Sequence, residues 1–281
     1  MILCTKMNGN GNDFLIIDNM DLRYDKETLS GYAQALCRRR ESLGADGILV
    51  AEPSEVCDFK MRLFNRDGSE GEMCGNGARC IARYAFLKGI ANDPAMVFET
   101  LGGSVEAVVK GSRVVLKLAP VDVSGLLLNA GASVGDYDFS YAFLTVGVPH
   151  TVIFEKEKLE SEDRYREIGR SIRMRTDLFP EGSNINFVSQ RGSFDKGLEV
   201  ITYERGVEDL TLSCGTGSTA SAVAAFKAGL TGPVVDVYNP GGLNRVSLLE
   251  GPSETLLPEL EGGASYIAEI EASEEALEKY N

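Results

Sequence analysis

One segment occurs twice in this chain, and the repeat constrains the fold more than any other feature. Residues 72–89 read EMCGNGARCIARYAFLKG, and residues 212–229 read LSCGTGSTASAVAAFKAG. In each copy a cysteine precedes a Gly-x-Gly turn and an alanine-rich run. Cys74 and Cys214 are 140 residues apart, close to half of the 281-residue chain. This spacing indicates a duplicated domain rather than a short motif used twice.

Three further pairs of segments support the duplication, because they keep nearly the same spacing in the same order. Their offsets are 136, 138 and 139 residues, for 11–14 with 147–150, 44–50 with 182–188, and 64–68 with 203–206. We therefore expect two half-domains. The first covers residues 1–121 together with a returning strand and tail at 263–281, and the second covers residues 122–262.

The apolar spacing predicts one long central helix in each half, at 75–88 and 216–228, with further helices at 27–40 and 161–173. This pattern predicts an α+β fold of two pseudo-twofold-related domains, each a mixed, mainly antiparallel sheet wrapped around a central helix. Ser273 is expected to cap a short helix in an acidic, solvated tail that carries no chemistry. Strands are predicted as a pair within 1–18 and at 48–50, 59–64, 96–101, 104–109, 113–119, 141–146, 151–154, 185–189, 198–203, 233–238, 245–249 and 265–270.

A cysteine in a glycine turn before a helix has a definite chemistry. The glycines allow a ligand to approach the main chain, and the first helical N–H groups carry the positive end of the helix dipole. Such a turn binds a carboxylate and also lowers the pKa of the thiol from its free value of about 8.5. In the alternative interpretation both cysteines are small buried hydrophobes. We rank this second, because packing requires neither the flanking glycines nor the repetition.

Charge and cysteine content exclude several kinds of partner. The net charge of −14 argues against nucleic acid and acidic membranes as partners. The chain has no 18-residue apolar run and no signal-peptide layout, which predicts a cytoplasmic protein. Its six cysteines are expected to be reduced, and no metal is expected because no CxxC occurs and His150 is the only histidine. A homodimer is possible, and the sequence does not determine the oligomeric state.

Two thiols that face each other across a cleft suit the inversion of a stereocentre. A thiolate removes a proton from one face of a carbon, and a thiol delivers a proton to the opposite face. For an amino-acid substrate without a cofactor, N–H dipoles from the turns at 75–77 and 215–217 would stabilise the carbanion. Polar residues at strand ends or turns suit the ammonium and a second carboxylate: Asn12, Asn65, Asn184, Glu204 and Arg205.

Several motifs together resemble the diaminopimelate epimerase family, over residues 6 to about 271. The octapeptide EMCGNGAR at 72–79 is the most specific of them. The others are KMNGNGNDF at 6–14, GADG at 44–47, NRDGS at 65–69, PH at 149–150, NINF at 184–187, ERG at 204–206 and SCGTG at 213–217.

The resemblance implies a cofactor-independent epimerase that interconverts LL- and meso-diaminopimelate in lysine and peptidoglycan biosynthesis, with two domains that close over the substrate. It also implies that the last strand, at 265–270, returns to the first domain. By the family pattern Cys74 and Cys214 are the acid/base pair. The residues implied to contact the substrate are Asn12, Asn65, Gly75, Asn76, Asn184, Glu204, Arg205, Gly215 and Thr216.

The chain departs from the family pattern at three positions, where Asn8, Val148 and Leu210 stand in place of a common histidine, asparagine and acidic residue. These changes leave the cysteine pair intact and bear on the choice of substrate side chain. A racemase of another amino acid, such as histidine, is therefore the nearest alternative. A non-catalytic module that binds small acids, an isomerase of the phenazine-pathway type, and a thiol-redox or zinc protein also stay open, and the two thiols disfavour the phenazine type.

Overall fold

The computed structural model describes residues 1–159, 162–193 and 196–278. The chain forms two compact units, which are described separately: Met1–Leu116 with Gly262–Asn281, and Lys117–Glu261. The half-domain boundaries expected from the sequence, after residues 121 and 262, stay predictions.

The elements follow one another in chain order as β1 (Ile2–Gly9), β2 (Asn12–Asp18), α1 (Lys26–Leu36), β3 (Gly47–Glu52), β4 (Phe59–Asn65), β5 (Glu70–Gly71), α2 (Gly75–Lys88), β6 (Ala95–Thr100), β7 (Gly103–Lys110), β8 (Arg113–Lys117), β9 (Val121–Asp122), β10 (Leu127–Val134), β11 (Tyr137–Val146), β12 (Val148–Phe154), α3 (Glu162–Arg173), β13 (Asn184–Gln190), β14 (Leu198–Glu204), β15 (Asp209–Thr211), α4 (Gly215–Lys227), β16 (Val234–Asn239), β17 (Gly242–Glu250), β18 (Thr255–Gly263) and β19 (Ser265–Ala272). A 3₁₀ turn at Glu274–Leu277 follows. No helix in these described stretches is long and apolar enough to cross a membrane.

The first unit is a mixed sheet whose strands pair in the order β19, β1, β2, β3, β4, β6 and β7. The β2–β3 and β4–β6 pairs are parallel, and the other pairs in this series are antiparallel. Helix α2 contacts β1, β2, β3, β4, β7 and β19. Most of its residues are buried, including Ile81, Tyr84 and Ala85. A helix buried on all sides lies inside its domain, so this sheet wraps around α2.

The second unit repeats this arrangement with the order β10, β11, β12, β13, β14, β16 and β17. The β12–β13 and β14–β16 pairs are again the parallel ones. Helix α4 contacts β11 to β14, β16 and β17, and its buried positions carry mainly alanine, serine and glycine. Such small side chains let the surrounding strands approach the helix closely. The predicted α+β fold, with a mixed sheet around a central helix in each half, is confirmed.

Helix α1 is shorter than its predicted range of 27–40, because the chain turns after Cys37. The carbonyls of Leu36 and Cys37 accept the N–H groups of Gly44 and Ala45, which takes the place of further helical hydrogen bonds. Residues 38–40 therefore lie in the turn that follows the helix, and Arg40 has a φ of 72°. This exit directs Arg39 towards the β2 and β3 strands.

Several short or polar strands were not predicted. Strands β5, β9 and β15 have only two or three residues each. Strands β10 and β18 contain glycine or proline, residues that favour the prediction of a loop. Helix α3 agrees with its predicted range of 161–173 except for residue 161, which lies outside the described residues.

The tail is not the solvated appendage that the sequence predicted. Ala276 and Leu277 pack against the core around α1, and Ser42 Oγ donates to the carbonyl of Ala276 at 2.9 Å. These two apolar side chains hold the tail on the first unit, which an acidic composition alone does not reveal. The predicted tail residues 279–281 lie outside the described part of the chain.

Candidate active site

Cys74 is the N-cap residue of α2. Its backbone is extended, with φ −135° and ψ 121°, and its carbonyl accepts the N–H of Ala78 at 2.7 Å. This geometry places the half-buried thiol beside the first turn of the helix, where N–H groups lack helical partners. Cys74 Sγ lies 3.5 Å from Oδ1 of Asn12, so the thiol can donate a hydrogen bond to that oxygen.

A charged network fixes the Asn12 carboxamide at the start of β2. Asn12 Nδ2 donates to Oδ2 of Asp46 at 2.6 Å, which turns its Oδ1 towards Cys74. Arg39 Nη2 lies 2.7 Å from Oδ1 of Asp46 and 2.5 Å from Oδ1 of Asp13. Asp46 belongs to the GADG motif at 44–47, whose sequence pattern alone does not reveal this contact with Asn12.

Asn65 ends β4 and begins a tight turn. Its Nδ2 donates to Ser69 Oγ at 3.0 Å, and its carbonyl accepts the N–H of Gly68 at 2.8 Å. Strand β5 follows this turn and ends at Gly71, three residues before Cys74. Asn65 is exposed, as a residue that binds a ligand from a turn would be.

Gly75 and Asn76 form the first turn of α2, and Asn76 is buried. Its Oδ1 accepts a hydrogen bond from Nη2 of Arg79 at 2.6 Å. The Asn76 side chain is therefore committed to the interior of the helix turn. A bound anion at this turn would meet main-chain N–H groups.

Cys214 is the N-cap residue of α4 and matches Cys74 in position and in extended backbone, with φ −108°. Its Sγ accepts the N–H of Gly217 at 3.4 Å and lies 3.4 Å from Oγ1 of Thr216. A Cβ atom on Gly217 would lie 2.4 Å from Oδ1 of Asn186, so only glycine fits this turn. Gly215, Thr216 and Cys214 thus form one compact turn, as predicted.

Glu204 ends β14 next to Cys214. Burial raises the pKa of its carboxyl group, and the neighbouring side chains of Thr211 and Cys214 partly offset this increase. The thiol of Cys214 therefore has a carboxylate acceptor, whereas the Cys74 thiol faces the amide oxygen of Asn12.

Asn184 and Arg205 are joined through the main chain. Asn184 Oδ1 accepts the N–H of Arg205 at 2.7 Å, and Arg205 Nη1 donates to the carbonyl of Glu181 at 2.6 Å. Asn184 opens β13 and Arg205 follows β14, so the adjacent antiparallel strands β13 and β14 bring them together.

His150, in the PH motif at 149–150, is fully buried, which its sequence pattern does not indicate. Its Nδ1 lies 3.2 Å from Nδ2 of Asn186, an amide nitrogen that can only donate, so Nδ1 accepts and Nε2 carries the proton. Burial, together with the charge of Arg205, lowers the pKa of His150 to about 3. Nε2 has no protein partner within the described part of the chain. The side chain is thus a neutral donor.

Two of the three departures from the family pattern serve local structure. Asn8 Oδ1 accepts the N–H of Gly11 at 3.1 Å in the β1–β2 turn. Leu210 packs against the apolar cluster that contains Tyr203 and Phe187. Val148 opens β12 opposite Val146.

The predicted residues fall into two sets, one in each unit. In the first unit Cys74, Asn12, Gly75 and Asn76 surround the start of α2, and Asn65 lies at the turn that precedes β5. In the second unit Cys214, Gly215, Thr216 and Glu204 surround the start of α4, with Asn184 and Arg205 joined on the neighbouring strand ends. None of the six cysteines, all of which lie in the described residues, forms a disulfide. Residues 1–159, 162–193 and 196–278 contain no group of three or more His, Cys, Asp or Glu side chains that could hold a metal ion.

The fold is also found in solved structures. A phenazine biosynthesis protein of the PhzF family from Bacillus anthracis matches with a TM-score of 0.69 and 16% identity, over 96% of this chain and 98% of that one. A hydroxyproline epimerase from Agrobacterium vitis, with bound trans-4-OH-L-proline, matches with a TM-score of 0.66 and 13% identity, over 96% and 90%. At such low identity these two likenesses concern the fold.

The duplicated fold with a cysteine at the start of each central helix, together with the sequence relatives, defines an isomerase of the epimerase and racemase class. A sequence profile described as "Diaminopimelate epimerase" matches residues 4–121 and 142–255. The chain belongs to the diaminopimelate epimerase family, as its motifs predicted. Proteins named diaminopimelate epimerase are 41% identical in Methanothrix thermoacetophila, over 89% of this chain and 92% of that protein, and 39% identical in Archaeoglobus fulgidus, over 95% and 94%.

Proposed function

We propose that this protein interconverts LL- and meso-diaminopimelate without a cofactor, as a step of lysine and peptidoglycan biosynthesis. The observation that carries the proposal is the pair of N-cap cysteines, one on the central helix of each unit. The names of the relatives, at 35–41% identity over most of the chain, support diaminopimelate as the substrate.

In the proposed reaction Cys74 and Cys214 act on the two faces of one α-carbon. The cysteine that is a thiolate takes the α-proton and becomes a thiol, and the electron pair of the broken C–H bond stays on the substrate. The other cysteine then gives its proton to the opposite face and becomes a thiolate. The net charge of the pair does not change, and the reverse reaction uses the same two residues in exchanged roles.

The helix starts supply the stabilisation that this carbanion needs. As the α-carbon loses its proton, negative charge moves onto the substrate carboxylate. N–H groups at the first turns of α2 and α4 lack helical partners, so in the proposed complex they would stabilise such a charge without reorganisation during the reaction. Gly75, Asn76, Gly215 and Thr216 would bind the substrate mainly in this way.

The remaining residues are proposed to hold the polar groups of the substrate. Asn12, Asn65 and Asn184 offer amide groups, Glu204 offers an acceptor for an ammonium, and Arg205 offers donors for a carboxylate. The networks around Asn12 and Asn184 support these roles, because a fixed amide discriminates between donors and acceptors better than a mobile one.

Exchange of the α-proton with solvent tests the proposal. The purified protein is incubated in deuterated water with LL-diaminopimelate, meso-diaminopimelate, L-histidine or L-proline, and the α-proton signal is followed by NMR together with the stereochemistry. We expect deuterium to enter at the α-carbon of both diaminopimelate isomers, with interconversion. If deuterium enters only histidine, the protein is a racemase of histidine and not a diaminopimelate epimerase. If the compounds bind without exchange, the protein is a non-catalytic binding module.

A further inference from the structure

Arg79, in the second turn of α2, carries the largest of the fully buried side chains and has no exposed surface. Its Nη2 donates to Oδ1 of Asn76 at 2.6 Å, and its Nε donates to the carbonyl of Gly263 at 3.3 Å. Nη1 is buried and has no hydrogen-bond partner in the described structure. No carboxylate forms an ion pair with Arg79 among the described residues.

An arrangement of this kind is costly. A buried guanidinium retains its proton, because the pKa of an arginine is too high for burial to neutralise it near pH 7. An unpaired buried charge is strongly destabilising, because the protein interior does not replace its lost hydration. The side chain therefore needs a negative charge nearby, at least during part of the reaction cycle.

The neighbouring ionisable groups leave one candidate for that negative charge. The ionisable groups near enough to interact electrostatically with Arg79 are Cys80, Cys74 and Arg113. Burial raises the pKa of Cys80 to about 12, so Cys80 stays a neutral thiol, and Arg113 has the same sign as Arg79. Arg83, on the next turn of α2, donates to the carbonyl of Ala264 and is also a cation. Cys74 is the group that can become an anion.

A second group of charges near Cys74 belongs to the network that holds Asn12. Lys6 and Arg39 pair there with Asp13, and Arg39 also pairs with Asp46. Two cations and two carboxylates compensate one another in this network, so it supplies no net negative charge to Arg79.

The second copy of the repeat has no such cation. Thr219 occupies the position equivalent to Arg79, and its Oγ1 donates to the carbonyl of Gly215 at 3.0 Å. Cys214 instead has Glu204 beside it, a carboxyl group that accepts a hydrogen bond from the thiol. One cysteine therefore has a buried positive charge nearby, and the other has an acidic acceptor.

We propose that Arg79 is a positioning residue whose buried charge stabilises the thiolate of Cys74 and whose hydrogen bonds fix the first turn of α2. Cys74 then loses its proton more readily than Cys214, so the free protein holds Cys74 as the base and Cys214 as the acid. The catalytic consequence rests on the proposed function, whereas the protonation of the thiols does not.

Alkylation of the wild-type protein tests the order of the two thiols. Iodoacetamide reacts with the thiolate, so its rate at each pH reports the fraction of that form. Labelling of the Cys74 and Cys214 peptides is followed by mass spectrometry from pH 5 to 10. We expect the midpoint for Cys74 to lie at lower pH than that for Cys214. An equal midpoint, or a lower one for Cys214, would overturn the proposal.

Variants then separate the charge of Arg79 from its structural contacts. At pH 7 the Arg79→Gln protein should label at Cys74 about tenfold more slowly, as expected for a pKa higher by about one unit, while Cys214 is unchanged. Arg79→Lys should fall between Arg79→Gln and wild type, and Thr219→Ala, the equivalent change in the second copy, should leave Cys74 unchanged. If Cys74 is alkylated at the same rate in wild type and in all folded variants, the charge of Arg79 does not stabilise the Cys74 thiolate and Arg79 has only a structural role.

The labelling experiment also keeps the two proposals apart. Circular dichroism identifies a variant that fails to fold. If an Arg79 variant does not fold, the labelling midpoints of the wild-type protein still show which thiol ionises at lower pH. Alkylation does not depend on turnover. Cys74 can therefore prove to be the more readily ionised thiol even if diaminopimelate is not the substrate. Conversely, diaminopimelate can be the substrate even if Cys74 is not the more readily ionised thiol.

Discussion

Asn12 Nδ2 and Asp46 Oδ2 are 2.6 Å apart, and this hydrogen bond decides which end of the Asn12 amide faces Cys74. With Nδ2 held by the carboxylate, Oδ1 is presented to the thiol at 3.5 Å. Without Asp46 the amide could rotate by half a turn and present its NH₂ group instead. Asp46 thus determines that Asn12 presents a hydrogen-bond acceptor, and not a donor, to Cys74.

The first prediction concerns Asp46→Ala, which should lower kcat/KM for epimerisation by about tenfold or more. A hydrogen bond to a charged group contributes about 1.5–3 kcal/mol, and about 1.4 kcal/mol corresponds to a factor of ten. Steady-state kinetics on the variant and on Asp21→Ala measure this. Asp21 pairs with Arg23 on the surface and serves as the control. Activity of Asp46→Ala within twofold of wild type would contradict the proposed orientation of Asn12.

The second prediction concerns the cysteines themselves. Cys74→Ala and Cys214→Ala should each abolish epimerisation while the far-UV circular dichroism stays unchanged, because each removes one of two required proton carriers. Cys57→Ala is the matched control, since Cys57 is a partly exposed free thiol in a loop between β3 and β4. Substantial turnover by either of the first two variants would exclude the two-base mechanism.

The third prediction compares two glycines at the starts of the central helices. Gly217→Ala should destabilise the protein by about 1–3 kcal/mol, since the new Cβ would lie 2.4 Å from Asn186 Oδ1 and 3.0 Å from Thr202 Oγ1. A Cβ on Gly75 meets nothing within 4 Å, so Gly75→Ala should retain wild-type stability. Urea unfolding measures both variants, and equal losses of stability would show that the turn at Gly217 can relax.

The fourth prediction follows from the raised pKa of Glu204. The folded protein holds this proton to a higher pH than the unfolded chain, so it binds more protons than the unfolded chain above the ordinary pKa of 4.5. The contribution of Glu204 to stability is therefore complete below that value and is lost as the pH rises through the folded pKa.

Urea unfolding of wild type and Glu204→Gln between pH 4 and 7 measures this effect. Wild type should lose stability relative to Glu204→Gln as the pH increases, because glutamine has no proton to lose. A difference between the two proteins that does not change with pH would show that burial does not raise the pKa of this carboxyl group.

The repeat was sufficient to predict both central helices, because the spacing of cysteine, glycine and alanine is independent of the surrounding chain. The bounds of α2, Gly75–Lys88, agree with the predicted range of 75–88. The α+β class followed from the mixture of strands with one long helix in each half.

Residues whose role depends on distant parts of the chain could not be found in this way. Arg79 reads as an ordinary helix surface residue, and only the strands wrapped around α2 show that it is buried. Asp46 and His150 lie in recognisable motifs, yet their partners Asn12 and Asn186 are 34 and 36 residues away. The early end of α1 likewise depends on hydrogen bonds from Gly44 and Ala45, which helical periodicity does not contain.

Strand β19 pairs with β1 so that Ala272 lies opposite Ile2. During synthesis, the ribosome must therefore release the chain as far as Ala272 before the first strand can acquire this neighbour. The second unit, by contrast, occupies one uninterrupted stretch of the chain. We expect it to mature first, while the amino-terminal portion waits for β19 and stays dependent on protection from aggregation until that strand has emerged.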